Sequence, residues 1–269
     1  MSREKKNKFS KKFYVGAFIV GILVLVALLS YFYTPYDPEE MNIKERFVAP
    51  SVEHIMGTDN FGRDIFSRVM LGLKDTLYIS GITTLCAFVI GLLVGSITGY
   101  FGGIVDEILM RINDALSSVP SVLLAIVMVG ALGNGITTLM FSLIVVFIPS
   151  YARMIRSDYI KEKNKEYVLS GRLSGASHFR LIFVHILPNC KNTIISALVV
   201  GFNNAILAEA SLSFLGIGVE PPKASLGSML KDSQVFVTTA PWYSIFPGLI
   251  IVLLIIGCVL IGDGAKNKR

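Results

Sequence analysis

Five long stretches of this chain carry no Asp, Glu, Lys or Arg: residues 13–34, 76–105, 115–152, 192–208 and 233–262. Nothing else in the sequence limits the fold as tightly. A bilayer core about 30 Å thick takes roughly 20 apolar residues of helix to cross, because a helix satisfies its backbone amides within its own segment. The third stretch has 38 residues, room for two crossings, and Gly130, Gly133, Asn134 and Gly135 supply a turn at its middle. The fourth ends at Glu209, so its helix is expected to continue past that carboxylate toward Phe214. In the fifth, Pro241-Trp242 marks the interfacial start of the helix. The expectation is an all-α membrane protein of six transmembrane helices. Composition agrees: 53% of residues are hydrophobic and 16% charged, against about 25% charged in soluble domains. That balance excludes an ordinary soluble enzyme and a disordered chain.

Six crossings put both termini on one side, and the placement of positive charge selects the side. With a cytoplasmic N-terminus, 18 of the 25 Lys and Arg residues fall on the inside. Both termini are therefore expected in the cytoplasm. The net charge of +6 is then a topology signal, with no nucleic-acid partner implied. Six basic residues precede the first apolar run, as in a signal peptide. However, that run is longer than the 7 to 15 residues of a signal core, and Tyr31, Phe32 and Tyr33 stand where small cleavage-site residues belong. It reads as an uncleaved anchor. The chain thus divides into a basic tail (1–12), a first helix (13–34), an extracytoplasmic segment (35–75), a core of helices two to six (76–262) and a short tail (263–269).

Catalytic signatures are missing. No Gly-Lys dipeptide occurs, so there is no P-loop, and neither a GxSxG elbow nor an HExxH zinc helix is present. Cys86, Cys190 and Cys258 are widely spaced in or beside apolar runs and read as core residues. His54, His178 and His185 are isolated, so no metal site is expected. The chain reads as a non-enzyme with no cofactor of its own.

The most informative polar segment is the inner loop over 156–191. Leu169, Leu173, Ala176, Leu181 and Val184 recur near helical spacing, interrupted by Ser174-Gly175-Ala176. This predicts two short amphipathic helices bent at Gly175, with Pro188 ending the second. Such a hairpin suits lipid or a groove in a soluble partner, and the specific bend favours a shaped protein socket.

Here the sequence resembles the permease subunits of ATP-binding-cassette importers, in the peptide and nickel branch and specifically its C-type subunit. In that family an EAAxxxG motif followed by IxLP marks a loop whose first helix enters the ATPase. Aligning Gly175 puts Leu169-Ser170-Gly171 on the family's Glu-Ala-Ala, with Ala176 following and His185-Ile186-Leu187-Pro188 closing the motif. The acidic residue is lost and His185 replaces Ile; Glu166, one turn earlier, is the available substitute. Other stretches match more closely: His54 to Asp64 resembles HxLGTDxxGRD, and Gly99-Tyr-Phe-Gly-Gly103 with Asp106, Arg111, Asp114 and Pro120 resembles GYFGGxxDxxxMRxxDxxxxxP. Leu207 to Gly218 with Pro221-Pro222, and Gly262-Asp-Gly264, complete a match over about residues 10–264. The resemblance implies the fold of a type I importer transmembrane domain and half of a translocation pathway for peptides or nickel and metal chelates. Its implied partners are a homologous B-type permease, two cytoplasmic ATPases that bind ATP and Mg, an extracytoplasmic substrate-binding protein, and membrane lipid.

Individual residues keep two readings. Asp59, Arg63 and Asp64 belong either to a docking and gate-covering element for the binding protein or to a folded cap in which they pair with one another. Gly57-Thr58-Asp59 and Gly62-Arg63-Asp64 look like tight turns that serve both. Glu209, with Ser211 and Ser213 beyond it, lines the path or gate, or else makes a structural hydrogen bond near the outer interface. Ala87, Gly91, Gly95, Gly99 and Gly103 recur every fourth residue and form a small-residue strip for close helix packing or for sliding. The rival reading of the whole chain is a secondary transporter driven by an ion gradient, which would show inverted repeats and broken, charged helices.

Overall fold

The computed structural model describes residues 10–220 and 222–266. Arg3, Lys5, Lys6, Lys8, Pro221, Lys268 and Arg269, used above for topology or motif, lie outside the described residues. Ten α-helices are described: α1 (Lys11–Leu29), α2 (Ile65–Phe101), α3 (Gly103–Ser117), α4 (Ser121–Leu132), α5 (Ile136–Glu162), α6 (Glu166–Leu173), α7 (His178–Arg180), α8 (Lys191–Phe214), α9 (Leu226–Ser233) and α10 (Pro241–Lys266). Five helical runs are long and apolar enough to cross a membrane: α1, α2, α5, the run from α7 through α8, and α10. The α3–α4 pair, bent by 85°, supplies a sixth if it counts as one broken span.

Besides the end of α1 at Leu29 where residue 34 is expected, the start of α2 and the third crossing differ from the sequence expectation. Helix α2 starts at Ile65, well before Thr76. Asp64 caps it by accepting from the Ser67 amide at 2.8 Å. The Arg68 side chain is held by the Pro38 carbonyl at 3.1 Å and lies 3.6 Å from Asp59, so a cation fits inside the helix without solvent. The second difference is the expected third crossing. At the Ser118–Pro120 break the chain turns, leaving α4 only 12 residues, roughly 18 Å long. Helix α3 carries its polar side to α5: Asp106 takes both Arg156 donors at 2.6 Å, Arg153 reaches Asp114 at 3.3 Å, and buried Asn113 donates to the Pro149 carbonyl at 3.2 Å. The expected Glu107–Arg111 pair forms on the exposed side at 2.8 Å.

A third difference concerns Pro188, which does not end a helix. Residues 181–186 form a π-helical turn and 187–190 a 3₁₀ turn, after which α8 continues. Proline lacks the amide that an α-helix would use. The altered register accommodates it, and the Asn189 side chain takes the His185 carbonyl at 2.7 Å. The result is one helical run of 37 residues from His178 to Phe214. Helix α9 was not anticipated; a reciprocal Ser225–Ser228 capping box starts it.

The longest seam joins α2 to α5 along the small-residue strip. A Cβ on Gly95 would lie 2.5 Å from the Ala152 carbonyl oxygen and 2.9 Å from the Ile155 Cβ, and one on Gly99 2.6 Å from the Tyr159 Cβ. Only glycine lets these backbones approach so closely. Gly103 is the exception: it has open space around it and starts α3. Elsewhere, α1 crosses α10 where Gly16 meets Gly257. Cys190 and Cys258 are buried and Cys86 is half-buried, all as free thiols.

Gly95→Val is expected to lower the stability of the purified protein by about 1–3 kcal/mol through overpacking, read as an earlier thermal unfolding midpoint in detergent. Gly81→Ala, on the same helix with nothing within 4 Å of its Cβ position, is expected to be neutral or stabilising by about 0.5 kcal/mol.

Candidate functional site

Two polar constructions sit at opposite ends of the bundle, here called the hairpin end and the cap end. At the hairpin end, α6 closes with Gly175 in the left-handed region, at φ 80°. The Ala176 amide bonds to the Gly171 carbonyl and the Gly175 amide to the Arg172 carbonyl, at 3.0 and 3.1 Å, a Schellman closure. Ser177 then caps the second arm by accepting from Arg180. Gly171 permits the arms to touch, since its Cβ would stand 3.0 Å from Leu181. Glu166 lies exposed in the first turn of α6, where negative charge complements the helix dipole. Ser170 is exposed, His185 and Leu187 are half-buried, and Pro188 is exposed.

The hairpin's base and tip differ sharply. Val168, Leu181, Ile182 and Ile186 are buried at the base in one cluster with Tyr100 and Tyr159. Tyr159 donates to the Ile182 carbonyl at 3.2 Å. At the tip, Leu173 is 91% and Phe179 70% exposed, with Leu169 and Val184 about half exposed. A rigid, capped hairpin with an anchored base therefore presents an unpartnered apolar edge. Tyr100, the last-turn residue of α2, pairs with His178 Nδ1 at 2.8 Å, and the Arg172 guanidinium sits 6.0 Å from the Tyr100 ring centroid. This tie between α2 and the hairpin was not found by sequence reasoning, because nothing local connects residues 78 positions apart. Within α6, burial and then the Glu162 hydrogen bond push the Tyr167 phenol up.

At the cap end, residues 35–64 fold over the bundle. Gly57 and Gly62 take positive φ, so both expected turns form. Asp59 is 0% exposed; it accepts from the Phe61 and Arg63 amides at 2.7 and 3.0 Å and from Arg63 Nε at 2.6 Å. Asp64 does not join that pair. It caps α2 and meets His54 Nδ1 at 2.9 Å, while His54 Nε2 faces Glu45 at 3.6 Å. All three candidate docking side chains thus point inward and hold the cap together.

Glu209 is 0% exposed. Thr76 donates to one of its carboxylate oxygens at 2.9 Å and Ser213 to the other at 2.8 Å, so Glu209 ties α8 to α2. Ser213 is buried with it, whereas Ser211 is exposed and bonds the Leu207 carbonyl of its own helix. Of the three candidate path residues, Ser211 alone faces outward. Glu209→Leu leaves two buried hydroxyls without their acceptor. It is expected to cost about 1–3 kcal/mol, less than additively with Thr76→Val in a double-mutant cycle of thermal stability.

Comparison with known proteins names this architecture. Residues 91–267 match the family described as binding-protein-dependent transport system inner membrane component. The dipeptide transport system permease protein DppC of Haemophilus influenzae is 37% identical over 94% of this chain and 88% of its own length. The oligopeptide permease OppC of Bacillus subtilis is 36% identical over 99% and 87%, and the nickel permease NikC of Escherichia coli K12 34% over 93% and 90%. An inward-facing structure of the MetNI methionine ABC transporter shares the fold, with TM-score 0.61 at 20% identity over 72% of this chain and 93% of that one. The chain belongs to the family of binding-protein-dependent transport inner membrane components, as a multi-pass permease of the ATP-binding-cassette importer type in the group that holds the dipeptide, oligopeptide and nickel permeases.

Proposed function

We propose that this chain is the C-type half of a translocation pathway for short peptides or nickel and metal chelates, completed by a homologous B-type permease. The observation that carries the reading is the capped hairpin. Its exposed Leu173 and Phe179 need a partner surface, and its base is fastened to α2 and α5. An apolar edge on a rigid elbow suits a groove in a soluble protein. In this reading the hairpin end is cytoplasmic, both termini lie on that side, and one ATPase of a pair seats on residues 166–188. ATP and Mg are bound by those partners. Glu166 supplies the acidic group at the rim of the contact, in place of the glutamate that the family motif has where Leu169 stands.

Movement is then transmitted along the helix. The second arm of the hairpin is continuous with α8, whose far end carries Glu209. A displacement of the hairpin by nucleotide-driven closure of the ATPases moves that end directly. Alternating access follows as a rigid-body change of the bundle against its partner. Ser211, on the exposed face of α8, fits a lining position on the path. Asp59, Arg63 and Asp64 serve docking indirectly, by fixing the cap whose outer surface meets the binding protein.

Co-purification tests the docking. With the four-subunit complex expressed together, Leu173→Asp is expected to reduce ATPase recovered with the permease pair by about tenfold or more, since it buries an unpaired charge at the contact. Equal recovery from wild type and variant would refute the assignment of this edge.

A further inference from the structure

A cavity of about 540 Å³ opens at the cap end, between the 35–64 segment, the cap-proximal end of α8 and helix α9. Four cations, Arg63, Arg68, Lys223 and Lys231, and two acids, Glu220 and Asp232, are among its lining residues. Its size suits a small organic solute.

The charge arrangement inside is uneven. Arg63 and Arg68 share one carboxylate, with Arg63 Nε 2.6 Å and Arg68 Nε 3.6 Å from the same Asp59 oxygen. That oxygen belongs to a group already bonded to two backbone amides. Arg68 is 3% exposed, yet among the described residues its Nε has no hydrogen-bond partner, while its Nη1 donates to the Pro38 carbonyl. Each guanidinium carries five donors in a planar fork. Two buried forks share one carboxylate between them, and both arginines line the cavity. Lys231 adds a cation at the wall, with its ammonium lying against Gly216, whose φ of 84° and missing side chain make the room. Among the described residues, neither Lys231 nor Asp232 is engaged in a direct ion pair.

We infer that this cavity is an anion site that receives the free carboxylate of a transported solute at the cap end of the pathway. Planar guanidinium forks match carboxylate geometry, and a lysine beside them supplies an adaptable point charge. Asp232 stands where it repels a solute acid and attracts an ammonium, so a zwitterionic short peptide is the best-fitting occupant. Carboxylate-bearing metal chelates share the same recognition chemistry. The inference rests on the importer reading, which ATP-driven uptake by the wild-type complex with its binding protein tests separately.

Saturation-transfer NMR on the assembled transporter in phosphatidylcholine nanodiscs, with no binding protein added, tests the site itself. Alanylalanine is expected to receive saturation and to be displaced by acetate, and its C-terminal amide is expected to bind about tenfold more weakly. Lys231→Gln, at an exposed position, is expected to bring the free acid down to the level of the amide. Asp232→Asn is expected to weaken binding of alanylalanine, whose ammonium loses its counter-charge, and to strengthen binding of N-acetylalanylalanine, which has no ammonium. Equal signals from acid and amide in the wild type would overturn the inference. So would an unchanged Lys231→Gln, or an Asp232→Asn that weakens binding of N-acetylalanylalanine as Lys231→Gln does. Loss of the peptide signal when phosphatidylglycerol is included would assign the cavity to a lipid headgroup and overturn it as well.

Discussion

The close approach of α2 to α5 is the constraint on which the remaining architecture rests. In lipid there is little hydrophobic gain from bringing two apolar helices together, so dispersion at short range has to supply the attraction. Gly91, Gly95 and Gly99 make that range available by presenting bare backbone to Tyr151, Ala152, Ile155 and Tyr159. Both functional ends then hang on α2. Its first turn carries Asp64 and Arg68 under the cap, Thr76 holds Glu209, and Tyr100 reaches the hairpin at the other extreme. A shift of α2 along α5 would misplace all of them together.

The second organising element is the 37-residue run from His178 to Phe214, roughly 55 Å at the rise of an ideal helix. Its π-helical and 3₁₀ turns change the register around Pro188 without breaking the rod. A rod fixed at one end by Tyr100 and near the other by Thr76 transfers displacement with little loss. The carboxylate of Glu209 suits that task. Two hydroxyl donors satisfy it in a setting where a bare charge would cost several kcal/mol.

Much of the bundle was legible because lipid imposes a simple code. Charge-free runs located α1, α5, α8 and α10, and the extension of α8 past Glu209 followed from the length a span requires. Glycine at Gly175 gave the bend, since a left-handed turn closing a helix has few other solutions. The failures have a common origin in long-range pairing. A charge-free run can begin only after Lys74-Asp75, whereas α2 begins at Ile65, because the partners that let it absorb Arg68, Pro38 and Asp59, are supplied by the folded cap. Pro188 reads as a stop because its missing amide is a local fact, whereas the Asn189 bond and the widened turn depend on the arms around it. Pro120 reads as part of a span because composition records apolarity and is silent about direction. Within the candidate site, the glycine sets the bend of the hairpin, but which of its residues point inward is decided by Tyr159 and Tyr100 far away along the chain.

The pairing of the first and last helices has an engineering corollary. Gly16 lies on Gly257, and a Cβ on Gly264 would come within 2.6 Å of the Phe13 backbone nitrogen. The beginning and end of the described chain therefore run side by side like the two sides of a zip. A modest peptide bridge between residues 10 and 266 would sew the described chain into a closed loop with little distortion.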